Sequence, residues 1–254
     1  MLKKRVIPIL LLKDGRMVKG KNFQNYVDTG NPDSCLRIYN AQYVDELILI
    51  NINNNRFISN ELFSILSLAS KNCFIPLTVG GGIDKIEKIN KLMESGADKV
   101  VINSKNYKNF SLLSEASKKF GSQAIVAGID IKKINKEYFL YSDLGNKLEK
   151  KNIFEHIKDC ELNGAGEFFF NFIHKDGKMN GYDIPIIKKI SKFTNLPFIV
   201  CGGAGNFKHI EDVFNETKTS GAACASIFHF ADNNPIRISS YLRNKGIAQK
   251  KMTN

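Results

Sequence analysis

The sequence predicts a single (β/α)8 barrel assembled from two half-barrel repeats. Three observations predict it. Short apolar runs alternate with amphipathic stretches eight times along the chain. Two of these runs end in glycine clusters, at PLTVGGGI (76–83) and PFIVCGGAG (197–205). These lie about 120 residues apart, and other segments recur at nearly the same offset: 6–13 matches 125–132, 45–51 resembles 166–172, and 96–98 resembles 221–223. An open doubly wound sheet gives no reason for such a repeat, whereas two half-barrels closing on each other do. Neither half would bury its sheet alone, so residues 1–254 are expected to form one domain.

Residues 5–11 form the first buried strand by pattern, followed by a turn at Lys13-Asp14-Gly15. Residues 17–29 are polar and contain glycine, and read as a long loop. Asn31 is placed to cap the first helix, with Pro32 at its first position and Leu36, Ile38, Tyr39 and Val44 on its apolar face. The second strand is 46–51. Ser59 caps a helix running to about 71, and 74–79 is the third strand, entering the triple glycine. Asp84 caps a helix that Gly96 ends. Residues 98–103 are the fourth strand, 110–120 a helix ended by Gly121, and 123–129 the fifth strand, leading into Asp130. An excursion over 133–148 suggests a small hairpin around Asp143-Leu144-Gly145-Asn146. A helix at 153–163 closes at Gly164. The sixth strand, 167–172, precedes a helix at 184–193; the seventh, 198–201, precedes one at 207–219. A weak eighth strand at 222–226 and a helix at 235–244 complete the series, and the tail from Ala248 reads as frayed.

The net charge of +12 raises the question of nucleic acid. The lysines are spread along helix faces, however, with no dense basic stripe and no interleaved aromatics. Solvated helix faces account for them; an anionic small molecule or an acidic protein partner accounts for the charge as well. Nucleic acid is therefore not expected. No apolar run reaches the roughly 18 residues of a membrane span. The apolar stretch at 6–12 lacks a small-residue cleavage site and reads as a strand, so a cytoplasmic protein is expected. Five scattered cysteines without a CxxC pair read as free thiols, and no histidine stands in an obvious partner position to make Cys201 or Cys224 a nucleophile. The four histidines are too dispersed for a metal site, and no cofactor is expected.

In such a barrel the ligand lies at the C-terminal ends of the strands. Two phosphate cradles are predicted there. One joins Gly81 and Gly82 with Asn103 and Ser104; the other joins Gly202 and Gly203 with Ala225 and Ser226, helped by Asp176 and Gly177. Cradles on opposite sides suit a long ligand with a phosphate at each end. Asp130 is placed to act as general acid or base. Its mate by the repeat is Leu11, which moves no proton. Asp176 supplies a third carboxylate, and Lys19 on the first loop reaches towards a phosphate or an intermediate. At the opposite face, Arg5, Glu46, Lys99 and Glu167 stand at or near strand starts, where they predict a ring of two cations and two anions able to gate a small polar molecule.

The segments KDGRMVKGKNF, PLTVGGGI, GADKVVINS, FGSQAIVAGID, HKDGKMNGYD, CGGAG and ASIFHF resemble the cyclase subunit (HisF) family of imidazole glycerol phosphate synthase over nearly the whole length. The resemblance implies a glutaminase (HisH-like) docked on the N-terminal face near Asp98. Ammonia would pass the gate of Arg5, Glu46, Lys99 and Glu167 and meet a bisphosphorylated formimino substrate at the C-terminal face. It also implies phosphate contacts at Gly82, Asn103, Gly177, Gly202, Gly203 and Ser226, with Ser104 a conservative variant. Asp130 matches one of the family's two catalytic aspartates. Leu11, Asn51, His174 and Cys201 depart from the family pattern; at His174 a loop hydrogen bond is expected rather than catalysis. The departure at Leu11 suggests a paralogue that conducts ammonia to a sugar amidotransferase making acetamidino sugars. The alternative is an ordinary histidine-biosynthesis cyclase that tolerates Leu11.

Overall fold

The computed structural model describes residues 3–53, 60–72 and 74–249. The strands are β1 (Arg5–Lys13), β2 (Arg16–Lys21), β3 (Gln24–Gly30), β4 (Leu47–Asn51), β5 (Leu77–Gly80), β6 (Lys99–Ile102), β7 (Ile125–Ile134), β8 (Glu137–Ser142), β9 (Lys147–Glu149), β10 (Glu167–Phe172), β11 (Phe198–Cys201) and β12 (Gly221–Cys224). The helices are α1 (Pro32–Ala41), α2 (Asn60–Asn72), α3 (Ile86–Glu94), α4 (Ser111–Phe120), α5 (Ile153–Leu162), α6 (Ile184–Phe193), α7 (Phe207–Glu216), α8 (Ser226–His229) and α9 (Pro235–Asn244).

Eight strands pair in parallel in the order β10-β11-β12-β1-β4-β5-β6-β7, and β7 pairs with β10 to close the circle. The predicted (β/α)8 barrel is the fold. Along β1 the side chains alternate. Val6, Leu10 and Leu12 join the outer core beneath the helices, while Ile7, Ile9 and Leu11 join a separate cluster inside the barrel. That inner cluster also holds Ile48, Val101, Val126, Phe169, Ile199 and Ala223. The barrel is thus a packed core with a mouth at each end.

The structure corrects several boundaries. The polar stretch 17–29 is no loop: β2 pairs antiparallel with β1 and β3 with β2, making a hairpin. Asp14 and Gly15 both have positive φ, as do Asn22 and Phe23, which gives each reversal the mirror-image turn that matches strand twist. Asp84 does not cap α3. Lys85 occupies that position, and Asp84 instead pairs with Lys88 at 2.8 Å. Asn31 caps α1 as expected, accepting from the Asp33 and Ser34 amides. The excursion is a hairpin in which β8 pairs with an extended β7 and with β9. The tail is not frayed at its start: Ala248 accepts from the Lys4 amide, and Gln249 bridges to Lys4. The caps and thiols proposed at Ser59 and Cys73, and the tail beyond Gln249, lie outside the described residues.

Phe168 is fully buried and stacks on Phe170 with ring centroids 5.3 Å apart. Phe168→Ala is expected to cost about 3–5 kcal/mol through lost transfer energy and the cavity left behind. Leu162, 75% exposed on α5, should tolerate Ser within about 0.5 kcal/mol. Urea unfolding of the two variants against the parent checks both values.

Candidate functional site

At the N-terminal end of the barrel, four charged side chains from β1, β6, β10 and the approach to β4 meet inside the wall. The Arg5 guanidinium binds Glu46 through one nitrogen at 2.5 Å and Glu167 through the other. Lys99 bridges the same two carboxylates, at 2.7 Å to Glu167 and 3.4 Å to Glu46. Thr78 donates to Glu46 at 2.5 Å, and Arg5 donates to the Ser220 hydroxyl at 3.1 Å. Gly221 leaves room for the apolar side chains above the ring, since a Cβ there would stand 2.8 Å from Ile7 Cδ1 and 3.0 Å from Ile199 Cγ1. Burial works against the charge on Glu167, but Arg5 and Lys99 outweigh it and hold the carboxyl below its ordinary value. Above the ring the wall is apolar, at Ile7, Val126 and Ile199. An ion moving up from the ring would lose its hydration there with nothing to replace it, whereas a small neutral molecule would not. Asp98, exposed at the same end, accepts from the Leu77 amide at 2.8 Å.

At the C-terminal end the two predicted cradles occupy matching places. After β6, Asn103 turns the chain into a short 3-10 helix over Ser104–Tyr107; after β12, Ala225 turns it into α8. The dihedrals agree, with φ −122° and ψ −91° at Asn103 and φ −128° and ψ −69° at Ala225. The glycines are sterically required. A Cβ on Gly81 would stand 1.9 Å from the Asn51 carbonyl, and one on Gly203 would stand 2.2 Å from the Gly181 carbonyl; both residues have positive φ. Side-chain contacts then separate the cradles. Ser104 accepts from the Asp143 amide at 3.0 Å, so its hydroxyl is tied to the β8–β9 turn. The second cradle keeps a recess lined by Gly177, Gly202, Gly203, Ala225 and Ser226, with Lys19 and Asp176 at its edge.

Lys19 does not reach into open solvent, as a flexible loop would allow. Its ammonium is buried and binds Asp176 at 2.6 Å. The Phe23 amide donates to the other oxygen of Asp176 at 3.2 Å, and the Asn22 amide to its backbone carbonyl at 3.1 Å. One aspartate therefore fastens the β2–β3 hairpin across the barrel mouth.

Asp130 points into that mouth from β7 and is buried. Burial raises its carboxyl to about 7, and Asp176 pushes the same way; donation from Asn103 (2.8 Å) and from Asn171 opposes the rise. Leu11 faces the mouth from β1 but packs with Ile50 and Ala225 against the inner apolar cluster. Asn51 accepts from the Asn53 amide. His174 makes loop hydrogen bonds: its Nδ1 accepts from the Lys133 amide at 3.1 Å and its Nε2 lies 2.7 Å from Asp183. Burial pushes the Cys201 thiol upwards, which removes nucleophilic character. Among the described residues, no group of three or more His, Cys, Asp or Glu comes together to hold a metal, and no helix is long and apolar enough to cross a membrane. Sequence reasoning missed Asn171, although an amide among the phenylalanines of EFFFNF was its signal. It missed Tyr26 too, whose phenol burial raises to about 12 beside Asp176 and Asp130.

Residues 5–234 match the family described as "Histidine biosynthesis protein". The imidazole glycerol phosphate synthase subunit HisF of Staphylococcus epidermidis is 39% identical over 249 residues, 97% of this chain and 99% of its own. Those of Natranaerobius thermophilus and Hydrogenobaculum sp. are 38% and 40% identical, each covering 97% of this chain and 98% of the relative. The chain belongs to the HisF family. The family resemblance read from the sequence motifs therefore holds over nearly the full length of the chain.

The folded state binds the Asp130 proton more tightly than the unfolded chain, whose value is near 3.8. Its contribution to stability is therefore present below that value and lost as pH rises to about 7. Relative to Asp130→Asn, the parent should lose up to about 4 kcal/mol across this window in urea midpoints measured as a function of pH. Asp176→Ala strands the Lys19 ammonium and releases the hairpin, so amide exchange at Phe23 should quicken at least about tenfold.

Proposed function

We propose that this chain is the ammonia-accepting barrel subunit of an imidazole glycerol phosphate synthase-type enzyme, working with a HisH-like glutaminase docked at the Arg5–Glu46–Lys99–Glu167 end. The full-length kinship to HisF subunits supports this reading. The observation that carries it is the pairing of two ends in one barrel. A closed ring of charge sits below an apolar interior, and a buried carboxyl stands beside glycine cradles above it. Ammonia released at the N-terminal face enters when the ring parts, crosses the apolar interior as the neutral molecule, and arrives beneath Asp130. A bisphosphorylated ligand spans the cradles, its phosphates held by backbone amides at Gly82 and Asn103 on one side and at Gly177, Gly202, Gly203 and Ser226 on the other. Asp130, poised near neutrality, moves the proton that ring closure requires.

Leu11 favours a second reading. With an apolar side chain where the repeat places the partner of Asp130, the barrel would conduct ammonia without closing an imidazole ring. It would then serve a separate sugar amidotransferase making acetamidino sugars. Both readings share the glutaminase; they differ in the final acceptor.

Mixing the chain with a HisH-type glutaminase should raise glutamine hydrolysis at least about tenfold, and Lys99→Ala should weaken that coupling. No stimulation would overturn both readings. With the formimino bisphosphate substrate and ammonium, turnover that disappears in Asp130→Asn supports the cyclase; glutaminase stimulation without such turnover transfers the assignment to the second reading.

A further inference from the structure

Asp130 is flanked on both sides by amides. Asn171 is its direct neighbour in register on β10, and Asn103 leaves the end of β6 on the other side of β7. Asn103 donates its Nδ2 hydrogen to Asp130 Oδ2 at 2.8 Å, and the Asn171 amide, beside it in register, favours the charged form of the same carboxylate. In both amides the oxygen is buried and has no hydrogen-bond partner. An amide placed for stability satisfies both ends, because a buried acceptor left without a donor is costly. Here Asn103 is turned so that its donor serves Asp130 while its acceptor goes unmatched, and the neighbouring Asn171 leaves its own acceptor unmatched as well.

A third residue makes this arrangement possible. Gly128 lies two residues before Asp130 on the same inward face of β7. A Cβ at Gly128 would stand 3.1 Å from the Asn103 Cβ and 2.8 Å from Val101 Cγ1. The bare backbone at Gly128 is therefore the space in which Asn103 approaches the carboxylate.

We propose that Asn103 and Asn171, with Gly128 making room for the first, are positioning residues that clamp the Asp130 carboxylate from both sides and set the pH at which it exchanges its proton. For Asn103 this is a role apart from the phosphate cradle, and it is fulfilled by the side chain rather than the backbone. The inference rests on the reading of Asp130 as the proton-moving group, but its physical content stands without turnover. The clamp favours the charged form against burial. The other groups facing Asp130 do not replace it. Tyr26, Tyr107 and Cys201 are all pushed upwards by burial, and Asp176 is paired with Lys19.

The test is a carboxyl-carbon NMR titration of Asp130 in the full chain, assigned by its loss in Asp130→Asn. Asn171→Leu removes an unmatched oxygen and is expected to fold at least as stably as the parent. It should raise the Asp130 midpoint by about one unit, a tenfold change in ionisation constant. Asn103→Leu should do the same, and Gly128→Ala should shift the midpoint in the same direction without altering any side chain that touches Asp130. Asn171→Gln, whose longer side chain keeps the donor, should restore part of the shift. Midpoints unchanged in folded Asn171→Leu and Asn103→Leu would overturn the clamp. If the chain turns over the formimino substrate, the acidic limb of kcat against pH should move with the NMR midpoint. A moving NMR midpoint without turnover leaves the clamp standing and removes the cyclase reading; turnover with a fixed midpoint does the reverse.

Discussion

Closure of the barrel by the β7–β10 pairing is the constraint from which the rest follows. In a closed barrel of parallel strands, alternate side chains have no route to solvent except through the two mouths. Whatever the inward positions carry must be satisfied within its own layer. The apolar middle does this by packing, through Ile9, Ile48, Val101, Phe169 and Ala223. The bottom layer does it by neutralisation: two cations and two anions, each cation touching both anions. Such a ring is less favourable than an apolar plug of equal volume, because four ions give up hydration to form it. The cations keep about a fifth of their side-chain surface exposed while the carboxylates keep about a twentieth or less, so the ring faces outward through Arg5 and Lys99.

The top layer is resolved differently, and here the two half-barrels diverge. Leu11, Ile50 and Ala225 give the mouth an apolar side contributed by β1, the end of β4 and the exit of β12. Asn103, Asp130 and Asn171 give it a polar side across β6, β7 and β10. The β2–β3 hairpin covers the mouth and is tied to the loop after β10 by the Lys19–Asp176 pair. Backbone cradles kept in near-identical conformation after β6 and β12 show that symmetry survives in the turns even where the side chains between them have parted.

Most of this architecture was legible in the sequence, because strand burial and glycine turns leave strong local marks. The strand at Glu167–Phe172 and the helix at Ile184–Phe193 were bounded to the residue by a phenylalanine-rich run and by a proline at the start. The β2–β3 hairpin was not legible as a strand pair because β3 is largely exposed and polar, and its turn uses Asn22-Phe23 where a glycine would advertise it. The Asp14-Gly15 pair was the available signal, since that dipeptide between strands favours the mirror-image turn. In the site, the charged ring could be read from strand starts alone, whereas the amide clamp could not. Asn103 was visible only as part of a phosphate turn. That its side chain turns to Asp130 depends on Gly128, a relation between neighbouring strands that no local pattern contains.

The mouth also bears on what Leu11 means. An apolar residue at that position costs the fold nothing, since Leu11 packs against its neighbours in the inner cluster. Asp130 is the opposite case. It is a buried carboxyl held well above its ordinary value, with two amides beside it whose oxygens go unmatched. Replacing the three by apolar residues of similar size would relieve each of those costs. A passive conduit has no physical use for them. The cost of this trio, set beside a Leu11 that costs the fold nothing, is the physical support for the proposed reading in which one carboxylate, rather than two, moves the proton.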